Sequence, residues 1–341
     1  MVKKSFQIST FEKGSRLLEK ITYLTLKKTS PNLFDRYEPA QEKPIKLPKL
    51  SIVLPNFNGQ KLYLKNLFES IGKSSYPLNQ LETILVDNGS TDNSVAYVKK
   101  YFPKVKIIKL DKNYGFARAV NIGVKKSTGA YLFITNNDVE LEKNCLENLV
   151  KFLLSNTDVG IVGGKVLDYK SRSKISSCAL AYNFALGSFI MSKNVNQTVL
   201  SDWIQGCSLT TSKKLWQKLS GFDEKFFFTS EEFDFCLRAK YLGFKTVYYP
   251  KATLWHVGGA TINKPELQKF KYFQVYKSKL RLILKHGSLI EILLAFFFQF
   301  AIFLPFRNLI LREKIAFPLL KAFIWNLKNM PKNLSSQRRN I

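Results

Sequence analysis

The chain has 341 residues, 45% of them hydrophobic and 14% aromatic, enough apolar mass for one large core or two smaller ones and too much for a disordered chain. Lys and Arg number 53 against 25 Asp and Glu, a net charge of +28, which points to an anionic partner: nucleic acid, anionic lipid or a phosphorylated substrate. The four cysteines, Cys145, Cys178, Cys207 and Cys236, form no CxxC pair, which argues against a structural zinc site or disulfide scaffold and for buried, reduced thiols in a cytosolic setting.

Residues 1–48 read as an N-terminal appendage. The opening MVKKSFQISTFEKGS is basic but holds no apolar core of signal-peptide length, so secretion is not expected. Phe11–Lys28 sets Leu17, Leu18, Ile21, Leu24 and Leu26 among charges, the pattern of a helix that either packs on the main domain or lies on a membrane surface. Pro31, Pro39, Pro44 and Pro48 then break regular structure.

From Leu50 the chain alternates strand and helix signals. Leu50–Leu54 is an apolar run closing on the turn-rich Pro55-Asn56-Phe57-Asn58-Gly59, and Leu62–Ile71 has helical spacing. Leu81–Val86 ends at Asp87-Asn88-Gly89-Ser90-Thr91-Asp92, followed by a helix over Ser94–Tyr101. Val105–Leu110 and Ala130–Thr135 are further strands, with a helix over Gly115–Lys126 between them. This alternation predicts parallel βαβ units. A helix is expected over Leu141–Leu154, strands over Val159–Leu167 and Thr246–Tyr249, and helices over Lys213–Leu219 and Glu231–Leu242, with loops and edge strands across 170–200.

The excess charge gathers at the C-terminal end, where residues 264–341 carry 15 basic side chains against 3 acidic ones. Within it Leu289–Phe306 is apolar at 15 of 18 positions, near the lower limit for crossing a bilayer. Glu291, Gln299 and Pro305 work against a clean span, so the segment spans, lies on the membrane, docks against a membrane-bound partner or packs as a core helix. Leu319–Leu327 resembles a second interfacial segment. Cations clustered beside apolar helices suit anionic lipid better than nucleic acid, for which no recognised module is present.

Five places can carry chemistry. Asn136-Asn137-Asp138 ends the fourth strand, where open α/β sheets place their ligands. A carboxylate there can hold a hard divalent cation and, through it, a diphosphate, or the triplet simply caps the next helix. Asp87, just past the second strand, can accept hydrogen bonds from a nucleobase or ribose, or can start an Asx turn. Asn113 to Gly123 (NYGFARAVNIG) runs from a strand end into a helix, with Gly115 allowing close approach and Arg118 able to meet a phosphate. Glu231, Glu232 and Asp234 stand at a helix start, where acids suit the dipole and where one of them can serve as a general base. His256, in the glycine-flanked WHVGG, can complete a metal site with Asp138. No P-loop occurs, and no GxGxxG follows the first strand.

In this order, LSIVLPNFNG, ILVDNGSTDNS, NYGFARAVNIG, FITNNDVE, EEFDFCLR and YYPKATLWHVGG resemble the inverting family 2 glycosyltransferases of the GT-A fold, and within them the rhamnosyltransferase-like branch. The resemblance covers about residues 49–260. It implies an α/β, GT-A-type nucleotide-sugar-binding domain over residues 49–263, with a mostly parallel central sheet flanked by helices. The remaining residues, 264–341, are expected to form a helical, membrane-associated segment. It further implies that Asp87 contacts the base of a nucleotide diphosphate sugar, with Pro55 and Asn58 near it. Asn113, Gly115, Arg118 and Asn137 complete that nucleotide-sugar site. Asp138 and His256 would hold Mg²⁺ or Mn²⁺ on the diphosphate, and Glu232 would fall where the family places its catalytic base, with Glu231 and Asp234 as the other candidates. Two departures stand out: the triplet keeps one carboxylate, and the acidic pair is Glu-Glu rather than Glu-Asp. The expected activity is transfer of a sugar to a lipid-linked or saccharide acceptor at the cytoplasmic face of a membrane. The alternative is a GT-A domain that binds nucleotide or glycan without catalysis.

Overall fold

Apolar runs bounded by turn residues fold here as buried strands. The computed structural model describes residues 19–27, 34–41, 45–59, 61–258, 267–305 and 315–330; Pro31, Pro44, Gly259 and Phe306, with most of the Phe11–Lys28 stretch, lie outside them. Strands β1 (Leu50–Asn56), β2 (Leu81–Asp87), β3 (Lys106–Lys109) and β4 (Tyr131–Ile134) pair in parallel in the order 3-2-1-4. Their connections are helices α1 (Lys61–Gly72), α2 (Ser94–Tyr101) and α3 (Phe116–Lys125).

Alternate residues of β1 serve the two faces of the sheet. Leu50, Ile52 and Leu54 join Leu64, Leu67 and Phe68 of α1 in the main core. Val53 and Val86 face α3, which comes so close that a Cβ on Gly123 would sit 2.5 Å from Val53 Cγ1. Burial on both faces is why these strands read as unbroken apolar runs.

Beyond β4 the sheet stops being parallel. Strand β5 (Val139–Leu141) follows Asp138 directly, and α4 (Cys145–Ser155) begins only afterwards. The helix expected from Leu141 is therefore corrected, and the triplet does not cap it: residue Asn144 holds the N-cap position. Strands β6 (Val159–Asp168), β7 (Ile175–Ser177), β10 (Val199–Leu200), β11 (Leu209–Ser212) and β12 (Lys245–His256) complete a ten-stranded sheet. Strand β11 is antiparallel to both β4 and β6, so the mostly parallel sheet is corrected to a mixed one. The antiparallel insert comes from the second half of the chain, where βαβ alternation ends. Strand β12 runs twelve residues rather than the four expected. Pro250, which lacks an N–H, sits where its register with β6 slips between Tyr248 and Thr253, the kind of bulge that lets a strand absorb proline.

Packing divides the chain into two compact units. The sheet unit comprises Phe34–Ala179 and Ser192–Lys264. It takes in residues upstream of the first strand: Tyr37 donates to Asp158 Oδ1 (2.8 Å) and Ala40 N to Asn156 Oδ1 (2.9 Å). The short helix α5 (Lys213–Lys218) and the longer α6 (Glu231–Tyr241) belong to it as well. All four cysteines are buried and free.

The second unit combines residues 19–27, the hairpin of β8 (Leu180–Asn183) and β9 (Ser188–Met191), and the described residues from 267 onward. Its helices are α7 (Gln268–His286), α8 (Leu289–Phe297) and α9 (Ala316–Lys328), with a π-helical stretch, Phe298–Phe303, continuing α8. The polar residues that interrupt Leu289–Phe306 have local roles. Glu291 closes a capping box with Ser288, which fixes the helix start. Gln299 is buried, donating to Leu186 O (3.1 Å) and accepting from Lys279 Nζ (3.1 Å). Among the described residues no helix is long and apolar enough to cross a membrane.

Candidate functional site

Strands β1, β2 and β4 end at the same edge of the sheet, and the loops leaving them are locked together by asparagines. Asn56, the last residue of β1, is the hub. Its Nδ2 donates to Ser94 Oγ (3.0 Å) and Ser90 Oγ (3.2 Å) and lies 3.5 Å from Asp87 Oδ1. Its Oδ1 accepts from Asn137 Nδ2 at 2.8 Å. Asn137 is thereby tied to β1 and Asp87 to the same hub, although 50 residues separate them.

Asp87 is 4% exposed and also accepts from Ser90 N at 3.4 Å. Asn58 has a positive φ of 51° and braces the same loop: its N–H donates to Ser90 Oγ and its Oδ1 accepts from Thr91 N, both at 2.9 Å. Pro55 sits in β1 opposite Val86. Asp92 Oδ1 accepts from Ser94 N at 3.1 Å, the turn-forming part that a short acid there is suited to.

Asn88 joins this loop to the next. It donates to Asn113 Oδ1 (2.9 Å) and Gly115 O (3.1 Å) and accepts from Tyr114 N (2.9 Å). Gly115 (φ 86°, ψ 174°) occupies a region open essentially to glycine alone. A Cβ there would sit 2.3 Å from Phe227 O, the atom that accepts from Phe116 N at 2.6 Å. Gly115→Ala is expected to cost about 1–3 kcal/mol from the backbone alone, read as a fall in the denaturation midpoint of the purified chain. Arg118 packs over the Tyr114 ring at 4.1 Å and faces Glu224 at 3.8 Å, half-exposed.

Asp138 and His256 meet because β5 runs antiparallel along the end of β12, with His256 opposite Val139. His256 Nε2 lies 3.1 Å from Asp138 Oδ1 and 3.0 Å from Asn136 Nδ2. Burial alone would lower the imidazole pKa, but the Cys207 and Asp138 side chains outweigh it and hold it well above its usual value. A positive charge is thus favoured between these groups. The carboxylate and imidazole suit Mg²⁺ or Mn²⁺, whose remaining positions diphosphate oxygens and water ordinarily fill. Among the described residues no third His, Cys, Asp or Glu joins them.

The three acids of α6 differ sharply. Asp234 is fully buried and paired with Arg238 at 2.8 Å, and Arg238 also donates to Gly221 O (2.8 Å) and to Leu219 O (2.5 Å). This pair pins the helix to the loop before it. Glu231 is buried as well. Glu232 is half-buried, its Oε2 is sealed from solvent, and that oxygen has no hydrogen-bond partner among the described residues. Burial raises its carboxyl pKa to about 7. Backbone at Thr229 and Ser230 turns left-handed (φ 66° and 70°) just before the helix. Asn121 of α3 holds the preceding loop from the other side, donating to Phe222 O and accepting from Phe222 N, both at 2.9 Å. Phe233 stacks on Trp203 at 4.4 Å.

Two parts of the expected site are therefore each assembled by hydrogen bonds: Asp87 with Asn137 through Asn56 and with Asn58 through Ser90, and Asp138 with His256. Asn113 and Gly115 join the first through Asn88, and Phe227 ties Gly115 to the segment leading into Glu232. Asn56, Asn88 and Asn121 carry no role of their own in the sequence reading, and Asn136 enters it only as a member of the triplet. Their signal is position: each stands in or beside a quoted motif.

A sheet of this order, with an acid closing β2, an Asx-rich triplet after β4 and a helix bearing buried acids, is an α/β domain of GT-A type. Residues 51–217 match the model of Glycosyl transferase family 2, and this part of the chain belongs to that family. Among curated relatives, Poly(ribitol-phosphate) beta-N-acetylglucosaminyltransferase TarS of Staphylococcus aureus is 29% identical over 31% of this chain and 19% of its own length. Probable glycosyltransferase YdaM of Bacillus subtilis is 24% identical over 65% and 54%. The match spans less than two thirds of each. In fold, the chain is similar to mannosyltransferase PcManGT from Pyrobaculum calidifontis, solved with GDP-Man and Mn²⁺ (TM-score 0.56, 16% identity, 95% of this chain and 86% of that one). These matches identify the family and do not single out the rhamnosyltransferase-like branch.

Proposed function

We propose that the chain is an inverting glycosyltransferase that moves a sugar from a nucleotide diphosphate donor, a UDP-sugar or a dTDP-rhamnose-like one, to a lipid-linked or saccharide acceptor. The observation that carries this is Glu232, a carboxylate at a helix start with one oxygen sealed from water and without a hydrogen-bond partner among the described residues, and a pKa near the operating range of a general base. A merely structural acid would be paired, as Asp234 is.

In this reading Asp87 accepts hydrogen bonds from the base, with Pro55 and Asn58 beside it, and Asn113, Gly115, Arg118 and Asn137 line the rest of the donor. Glu232 takes the proton from an acceptor hydroxyl as its oxygen attacks the anomeric carbon. Attack from the face opposite the leaving nucleotide diphosphate inverts that carbon. Asp138 and His256 would hold Mg²⁺ or Mn²⁺, which when bound stabilises charge on the departing diphosphate. Arg118 can add to that stabilisation. Sugar transfer is supported by the names of the relatives, and a sugar-nucleotide donor by the GDP-Man of PcManGT. The cation-rich C-terminal region supports action at the cytoplasmic face of an anionic membrane surface. The single carboxylate of the triplet is what favours the second reading, a domain that binds nucleotide or glycan without turnover.

A donor screen separates the two. Purified chain is offered thymidine, uridine and guanosine diphosphate sugars with Mg²⁺ or Mn²⁺, and nucleotide diphosphate release is followed alongside calorimetric binding. Release confined to one donor is expected. Binding without transfer or hydrolysis would establish the second reading, and binding of none would overturn both.

A further inference from the structure

Helices α8 and α9 are apolar on both faces. On the inner side Phe296, Phe300 and Leu304 pack with Tyr276, Leu280 and Leu319. On the outer side of α8, Leu289, Ile290, Leu293 and Phe297 are 72%, 69%, 63% and 58% exposed, one stripe at helical spacing. Helix α9 repeats the arrangement: Phe317 is 73% exposed, and Leu320, Ile324 and Leu327 follow it along the same face, all exposed. The two helices are neighbours, because the Phe323 ring meets Phe296 at 5.6 Å and Phe300 at 5.7 Å. A helix facing water on that side would carry polar residues there, and an apolar stripe on each of two neighbouring helices marks an interaction surface.

Charge decides what covers it. Residues 264–341 carry 15 basic against 3 acidic side chains, and Lys285, Lys321 and Lys328 lie on or next to these helices. The acid on α8, Glu291, is spent in the capping box. A second copy would bring cations against cations, which is unfavourable. An anionic bilayer satisfies both features, since apolar stripes enter the acyl boundary while lysines meet the headgroups. The capping box at the start of α8 and the buried Gln299 hydrogen bonds fix this segment to its own unit rather than leaving it free to cross.

We propose that α8 and α9 form a monotopic seat on an anionic membrane surface, with Leu289, Leu293, Phe297, Phe317, Leu320 and Ile324 entering the interface. This deepens the membrane-surface part of the proposed function and depends on no step of sugar transfer.

The test is flotation of the full chain with phosphatidylcholine vesicles, with and without phosphatidylglycerol. Wild-type chain is expected to float with the anionic vesicles only. Leu293→Glu combined with Phe317→Glu should lower partitioning at least about tenfold, and Lys321→Gln or Lys328→Gln roughly fivefold each, with unchanged circular dichroism. The lysine variants keep the test decisive if the glutamate pair misfolds. Wild type remaining unbound to both vesicle types would overturn the seat. So would a dimer in light scattering that the glutamate pair dissolves while vesicles bind neither protein, because the face would then join two copies. Vesicle binding without nucleotide release in the donor screen would leave the seat standing and refute only the transfer reaction.

Discussion

Glu232→Gln is expected to lower kcat by about 10²–10⁴-fold, the usual contribution of a general base, while calorimetry shows donor binding unchanged. Glutamine keeps the shape of the side chain and removes its ability to take a proton. The wild-type rate should also rise with pH through about 7, where burial has set the Glu232 carboxyl. The sign follows from the charge: below that value the carboxyl is protonated and cannot act as a base, and above it the carboxylate is free. The Glu232→Gln residual rate should lack this rise. Asp234→Ala should behave differently. It leaves Arg238, part-buried against Leu219 O and Gly221 O, without its carboxylate, and removing one partner of a pair buried in full costs about 3–5 kcal/mol, an upper bound here. Its signature is therefore lost stability in denaturant unfolding. A Glu232→Gln enzyme with wild-type turnover would remove that residue from the mechanism.

Much of this was legible in the residues because the first half of the chain is locally consistent. Leu50–Leu54, Leu81–Val86 and Ala130–Thr135 are apolar runs ended by turn chemistry, and each folds as a buried parallel strand. The candidate residues at those strand ends were visible for the same reason, since a parallel sheet gathers its loops at one edge. What was hidden depends on partners far along the chain. Strand β5 is three residues long and exists because β12 lies against it, so Leu141 read as the start of a helix. Strand β12 was shortened by Pro250, whose cost a bulge absorbs. The antiparallel placement of β11 between β4 and β6 has no local signature at all. The hub role of Asn56 is likewise invisible until Ser94, Asp87 and Asn137 are brought to it.

The same long-range pairing makes Asp138 the second position where a large effect is expected. Asp138→Ala should lower kcat/KM by on the order of 10³-fold, about 4 kcal/mol, the scale on which a bound cation stabilises a leaving diphosphate. Asp138 supplies the carboxylate of the triplet, and His256 lies 3.1 Å from it. Loss of the carboxylate leaves an imidazole and neutral amides, a set with little attraction for a hard divalent ion. Calorimetric titration with Mn²⁺ in the presence of nucleotide diphosphate should therefore lose its signal in this variant. Chelation of wild type should reproduce the same loss of rate, and added Mn²⁺ should restore wild type but not Asp138→Ala. His256→Gln should fall between the two, because the carboxylate stays. Because the imidazole is held toward its charged form, a cation must displace that proton to use Nε2, so Mn²⁺ affinity in wild type should strengthen as pH rises. That pH dependence should vanish in His256→Gln. Full turnover of Asp138→Ala in chelator would show that the site works without the ion.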